Sequence, residues 1–193
     1  MNTRIHRLIT WRPRAWVPAH ELRPSIQPAS LADLVAHYRD RLPVLRPRFF
    51  DRLDRTTQAR IDGLITAALL VDGWLDAPTD RRKGHPMRLP SDELADCRVE
   101  DAHFEEKRVD FAFRRFNERF AGQIRRVLQG TAPLGHPWFG GLRYRLAIAR
   151  IEQILRERQV DPALWFEERP ARSAVTRLVA TTRITWRVLT GRG

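Results

Sequence analysis

Cysteine is almost absent from the chain, which has only Cys97 among its 193 residues. An intrachain disulfide is therefore excluded, as is a metal cage built from several thiolates. Long hydrophobic runs are also lacking: the longest, residues 63–71, has about half of the ~20 residues that a membrane-spanning helix needs. Arg12 and Pro13 interrupt the N-terminus before the apolar segment of a secretion signal can form. These absences predict a cytoplasmic protein without a membrane span.

The motifs of common enzyme and metal sites are missing too. The six histidines are scattered without zinc-binding spacing, and no glycine-rich phosphate loop is present. Glu100 and His103 form one Glu-x-x-His pair, which is half of a di-iron carboxylate pattern whose second copy is absent. Cys97 and His103 are six residues apart, so they do not face each other on a helix. We therefore expect a non-catalytic protein that needs no cofactor and no metal.

Positive charge is what the chain has in excess. Its formal net charge is +12 and its isoelectric point is near 11.4. Only two lysines are present, so arginine carries nearly all of this charge. Solubility does not require an excess of base over acid, because either sign of charge would keep the protein dispersed. Guanidinium groups, by contrast, are well suited to nucleic acid, since they bind phosphate in a fork geometry and stack on bases. A polyanionic partner is the economical explanation, and codon bias is an alternative explanation for the choice of arginine over lysine.

Apolar residues recur with helical spacing, which predicts a mainly α protein: a compact bundle of five to six helices with an extended basic N-terminal arm. Residues 1–29 contain four prolines and no helical period, so we assign them to the arm and residues 30–193 to the helical domain. Ser30 is expected to cap the first helix, which should end at Pro43. Residues 76–90 hold three prolines and a glycine, and we interpret them as a basic loop that could divide the domain.

The same signals divide the rest of the chain. Residues 48–75 are expected to form a second helix or a broken pair of helices. Residues 92–129 are expected to form mostly one long helix, and a kink near residue 102 remains open. Residues 142–159 should form a further helix, followed by a short turn that begins at Asp161. For residues 173–190 we favour a helix over a strand, and both remain open.

The predicted helix over residues 104–129 carries the clearest functional signal. Its apolar side chains project within a sector about 80° wide, so the helix should dock firmly on the core. Away from this sector, four arginines point in one direction and form a row about 27 Å long. They are Arg108, Arg115, Arg119 and Arg126. A second row, about 100° away, consists of Lys107, Arg114 and Arg125. Such rows could face several consecutive phosphates of a strand.

An acidic stretch precedes these rows. Residues 92–106 have seven carboxylates against one arginine, a net charge of −6. We expect this stretch to lie at the N-terminal end of the same helix and to point away from the rows along the helix axis, where the macrodipole favours acid. The alternatives are a protein partner, or self-association through the basic end of a second copy.

Tryptophan and arginine alternate near both ends of the chain. The residues concerned are Trp11, Arg12, Arg14 and Trp16 at the N-terminal end, and Arg183, Trp186 and Arg187 at the C-terminal end. Such interleaving would let rings stack on bases while guanidinium groups neutralise phosphates, although these tryptophans could instead belong to the core. Three basic residues of the predicted loop are expected to reach the same partner: Arg81, Arg82 and Lys83.

These patterns favour a non-catalytic helical subunit that binds the backbone of RNA or single-stranded DNA. We expect it to act with other protein subunits in a bacterial, plasmid or phage nucleoprotein assembly. Small helical subunits of bacterial RNA-guided effector complexes have this size and character, a comparison by analogy. The alternative is a protein-assembly or regulatory adaptor whose basic faces bind an acidic protein partner.

Overall fold

The computed structural model describes residues 22–131, residue 134 and residues 139–167. In these ranges the protein is built from six α-helices without a β-strand, which confirms the predicted mainly helical fold. The helices are α1 (Leu31–Leu45), α2 (Arg55–Arg82), α3 (Ser91–Cys97), α4 (Asp101–Glu105), α5 (Phe111–Gln129) and α6 (Phe139–Val160). Two short 3-10 helices, Phe50–Arg52 and Pro162–Trp165, complete the described structure.

The first helix begins where the sequence predicts. Ser30 forms a capping box with Asp33: the Asp33 N–H donates to Ser30 Oγ at 3.1 Å, and the Ser30 N–H donates to the Asp33 carboxylate at 2.9 Å. The expectation that Pro43 ends the helix is wrong, because α1 continues to Leu45. A proline so close to the end of a helix removes only one of its last hydrogen bonds, so two more residues can stay helical.

The long helix α2 lies at the centre of the protein. Residues 64–74 are all buried, because α1, α4, α5 and α6 pack around them. The predicted loop at 76–90 is wrong in its first seven residues, since α2 runs through Pro78 as far as Arg82. Ala77, Pro78 and Asp80 are buried, so tertiary packing stabilises a segment whose proline suggested a loop.

The single long helix expected over residues 92–129 is also wrong. The chain bends at two residues in the left-handed conformation, Arg98 at φ 59° and Lys107 at φ 55°, and forms α3, α4 and α5 instead. Left-handed backbone costs about 1–2 kcal/mol per residue outside glycine, so surrounding contacts must hold these turns in place. As a result, the acidic stretch folds back beside α5 instead of extending its axis.

Aromatic rings fix the orientation of α5. Phe113, Phe116 and Phe120 are fully buried, as the predicted apolar stripe requires. Phe113 and Phe116 contact Trp165, whose ring centroid lies 5.2 Å from that of Phe113 and 6.0 Å from that of Trp74 of α2. Phe120 contacts Trp74 and Phe116. Because several rings would have to move together, α5 cannot rotate without losing this cluster, and its opposite face is held towards solvent.

The described end of the predicted N-terminal arm is packed against the body. Leu22 is fully buried, and the backbone N–H groups of Ser91 and Asp92 donate to the carbonyls of Pro28 and Ala29. Several predictions lie outside the described residues: the helix-or-strand choice at 173–190 and the contacts of Trp11, Arg12, Arg14, Trp16, Arg183 and Arg187. Among the helices that the structure describes, none is long and apolar enough to traverse a bilayer.

Candidate nucleic-acid interface

The outer face of α5 carries exposed positive charge. Arg114, Arg115 and Arg126 are exposed, and none of them forms an ion pair with a carboxylate of the described residues. The helix begins at Asp110, whose carboxylate accepts a hydrogen bond from the Phe113 N–H at 3.0 Å. The start of the helix is therefore fixed, and these guanidinium groups belong to a helix whose position is well defined.

The four-membered arginine row is shorter than predicted. Lys107 and Arg108 precede α5, because the chain turns at Lys107. Arg108 Nε lies 3.2 Å from the Asp110 carboxylate, and its guanidinium also lies 3.1 Å from His103 Nε2. The helical part of the row therefore runs only from Arg115 to Arg126, which is about 16 Å at 1.5 Å per residue.

Two further arginines of the predicted rows bind carboxylates of the chain itself. Arg119 Nε lies 2.7 Å from Glu93 of α3, and its guanidinium lies 3.1 Å from Asp96. The field of Glu93, supported by Asp96, raises the pKa of Arg119. Arg125 lies 3.3 Å from Glu152 of α6. The expectation that the acidic stretch points away from the rows is thus wrong, and a contact of Arg119 or Arg125 with a partner stays a prediction.

The basic surface extends from α5 onto α6. The two helices run antiparallel, since Asn117 Nδ2 donates to the Arg158 carbonyl at 2.7 Å while Arg125 reaches Glu152. Together they contain ten arginines and three glutamates, a net charge of +7. Arg156 is exposed and lies one turn after Glu152, on the side of α6 that meets α5. We define the α5–α6 basic face as Arg114, Arg115, Arg126 and Arg156.

An aromatic ring that the sequence reasoning missed stands at one end of this face. Phe111, the first residue of α5, is 80% exposed. Arg114 and Arg115 follow it at i+3 and i+4, so the three side chains share one surface of the helix. The signal was present in the sequence: Phe111 is the one aromatic residue of this helix that falls outside the apolar stripe.

The basic residues of the predicted loop lie on and just after a helix. Arg81 of α2 lies 2.5 Å from Asp101 and 3.4 Å from Glu105, so α4 balances its charge. Arg82 and Lys83 are exposed at the end of α2. Their predicted contact with a partner stays a prediction, whereas Arg81 also has a structural role in attaching α4 to α2.

The Glu100–His103 pair serves the local backbone. The Glu100 N–H donates to His103 Nδ1 at 3.0 Å, and His103 Nε2 lies 3.1 Å from the Asp110 carboxylate. His103 is buried and connects the start of α4 to the start of α5. In the part of the chain that the structure describes, no three His, Cys, Asp or Glu side chains are grouped so that they could hold a metal ion.

A buried charge cluster inside the bundle was also missed. Asp72, Asp76 and Asp80 follow one another at intervals of four along α2. Arg88 is buried beside them, with Nε 3.1 Å from Asp80 and a terminal nitrogen 2.6 Å from Asp76. Arg23 lies 2.9 Å from the other oxygen of Asp80. Three aspartates spaced by four, which share one face of a helix, are the signal that could have revealed this cluster. The cluster joins α2 to the segments on either side of it.

No protein-family model, no curated protein and no solved structure matches the chain. The functional inference therefore depends on the charge and geometry of its own residues.

Proposed function

We propose that the protein is a non-catalytic nucleic-acid-binding subunit whose α5–α6 basic face contacts the phosphates of RNA or single-stranded DNA. The observation that carries this proposal is the exposed ring of Phe111 one turn before Arg114 and Arg115, whose guanidinium groups pair with no carboxylate of the described residues. An aromatic ring for a base and cations for the backbone are the two elements of sequence-tolerant single-strand binding.

Each element taken alone has an ordinary explanation. A single exposed apolar side chain is common on protein surfaces, and basic residues often face solvent. Here, however, the chain pairs several other arginines with its own acids, including Arg46 with Asp62 and Arg119 with Glu93. In the part of the chain that the structure describes, the four arginines of the α5–α6 basic face have no such partner, and they lie on a helix pair with a net charge of +7. Their mutual repulsion is relieved when a polyanion binds.

The size of the face suits a strand. Arg115 and Arg126 are about 16 Å apart along α5, which covers several phosphates, since these lie about 3.4 Å or more apart along a strand. The aromatic cluster around Trp165 holds α5 in place, so the guanidinium groups require little rearrangement on binding.

The test is the affinity of the purified protein for fluorescent single strands of RNA and DNA, measured by anisotropy at low salt. Replacing Phe111 with alanine should weaken binding about 5- to 100-fold, because one stacked base contributes about 1–3 kcal/mol. Phe111→Trp should retain binding. Ile26→Ala is the matched control, since Ile26 is also an exposed apolar side chain, at 75%.

Three results would contradict the proposal. One is the absence of strand binding at low salt. Another is equal affinity of the Phe111→Ala variant and the unmodified protein, and the third is an equal loss in the Ile26→Ala control. Binding of an acidic polypeptide in place of the strand would favour the adaptor alternative, in which the same arginines meet a protein.

A further inference from the structure

A surface groove of about 560 Å³ lies between the first turns of α2 and the end of α5. Helix α2 contributes Arg55, Thr56, Ala59 and Arg60 to it. Val127 and Gly130, at the end of α5, form the opposite wall. None of the lining residues carries a carboxylate. The volume lies within the range of about 300–1,000 Å³ that is usual for small-molecule sites.

The floor of the groove is apolar for identifiable reasons. Gly63 lets the end of α5 approach α2, because a Cβ at this position would lie only 2.9 Å from Thr131 Cγ2. The Thr131 hydroxyl donates to the Leu128 carbonyl at 2.7 Å, so its methyl group is left to face Gly63. Together with Ala59 and Val127, these groups form an apolar surface against which a flat ring can pack.

The rim of the groove is cationic. Arg55 and Arg60 both line it, and neither forms an ion pair with a carboxylate of the described residues. The amide groups at the start of α2 are not the source of the attraction, because Asp54 caps the helix by accepting hydrogen bonds from the Thr57 N–H and hydroxyl. An anionic ligand would therefore be held by the two guanidinium groups.

We propose that this groove is a nucleotide subsite, in which a base packs on the apolar floor and its phosphate binds Arg55 and Arg60. The inference rests on the proposed function and extends it, because Val127 of the groove directly follows Arg126 of the α5–α6 basic face. A strand that stacks on Phe111 and follows α5 would reach the groove after about 24 Å.

Two variants test the subsite through different properties. Ala59→Phe fills the groove without changing its charge, and Ala59 is exposed, so the substitution does not disturb the core. Arg55→Gln with Arg60→Gln removes both cations and leaves the groove open. The matched control is Arg39→Gln with Arg41→Gln, which removes two exposed charges from α1. Thermal unfolding of each variant verifies that it is folded.

For a fluorescent 12-nucleotide strand, we expect Ala59→Phe to weaken binding about 5- to 100-fold, the contribution of one base. The Arg55/Arg60 variant should lower the magnitude of the slope of log affinity against log salt by up to about 1.4, or about 0.7 for each lost phosphate contact. If both variants bind as the unmodified protein does while Arg114→Gln with Arg115→Gln weakens binding, the subsite is refuted and the proposed function stands.

Small ligands decide the same question without a strand. Saturation-transfer NMR with adenosine monophosphate should show contact at the base protons in the unmodified protein and no contact in Ala59→Phe. This result would support the subsite even if no strand binds, in which case the proposed function alone fails. Absence of the signal from the unmodified protein, or its full retention in Ala59→Phe, would overturn the subsite. Equal displacement of the mononucleotide by inorganic phosphate and by a second mononucleotide would also overturn it, because a simple anion would then be sufficient.

Discussion

The buried contact between Arg88 and the aspartates of α2 provides a direct test of how the bundle is held together. Only 1% of the Arg88 side chain is exposed, and Asp80 is fully buried. Arg88→Met keeps most of the side-chain volume but removes the cation from Asp80 and Asp76. The perturbation therefore leaves buried negative charge with fewer partners while the packing changes little.

The expected loss of stability is large. Removing one partner of a buried ion pair costs about 3–5 kcal/mol, out of a total of about 5–15 kcal/mol for a typical domain. We expect a value near the lower end, about 3 kcal/mol, because Arg23 still lies 2.9 Å from Asp80. Since Asp80→Asn removes the charge that Arg88 balances, its cost in the Arg88→Met background should be smaller than in the unmodified protein by at least about 1 kcal/mol.

The assay is urea unfolding of the four proteins of this cycle, followed by circular dichroism. Additive costs for the two substitutions would refute the coupling. A loss below about 1 kcal/mol for Arg88→Met alone would show that the guanidinium group contributes little to the stability of the bundle.

The remaining predictions concern two glycines and the cap of α5. Gly73→Ala should destabilise the protein by about 1–3 kcal/mol, because its Cβ would lie 2.9 Å from both Arg88 Cβ and the Tyr38 hydroxyl oxygen. Gly122→Ala should instead stabilise it by about 0.5–1 kcal/mol, since no heavy atom lies within 4 Å of that Cβ and α5 is helical there. Thermal unfolding of both variants measures the difference in sign. A hydrogen bond from the backbone N–H of Phe113 lowers the pKa of Asp110. The ionised Asp110 carboxylate therefore stabilises the protein above about pH 4, and this contribution is lost as the pH falls through the lowered pKa. Urea titrations at pH 7 and pH 3 should show a smaller acid-induced loss of stability for Asp110→Asn than for the unmodified protein.

The sequence was informative where a local rule decides the structure. The cap at Ser30, the apolar stripe from Phe113 to Ile124 and the turn after Asp161 depend on residues close in the chain, and all three lie where predicted. The two left-handed turns could not be predicted, because Arg98 and Lys107 are not residues that favour positive φ.

The pairing of charged side chains was even harder to predict from the sequence, because it depends on how distant segments of the chain meet. Because the chain turns at Arg98 and Lys107, Glu93 and Asp96 lie against Arg119. The sequence pattern, read as one long helix, had placed these two acids at the far end of that helix. Sequence spacing thus identified a basic helix, but it could not tell which of its arginines the rest of the chain neutralises.

The salt dependence of strand binding tests the central claim most directly. Arg114→Gln with Arg115→Gln and the control Arg39→Gln with Arg41→Gln each remove two exposed charges, so their net charges are equal. If the α5–α6 basic face contacts phosphates, the first variant should lower the magnitude of the slope of log affinity against log salt by about 1.4, and the control should leave it nearly unchanged. Equal slopes for the two variants would mean that general positive charge attracts the strand, which would contradict the assignment of α5 as the binding surface.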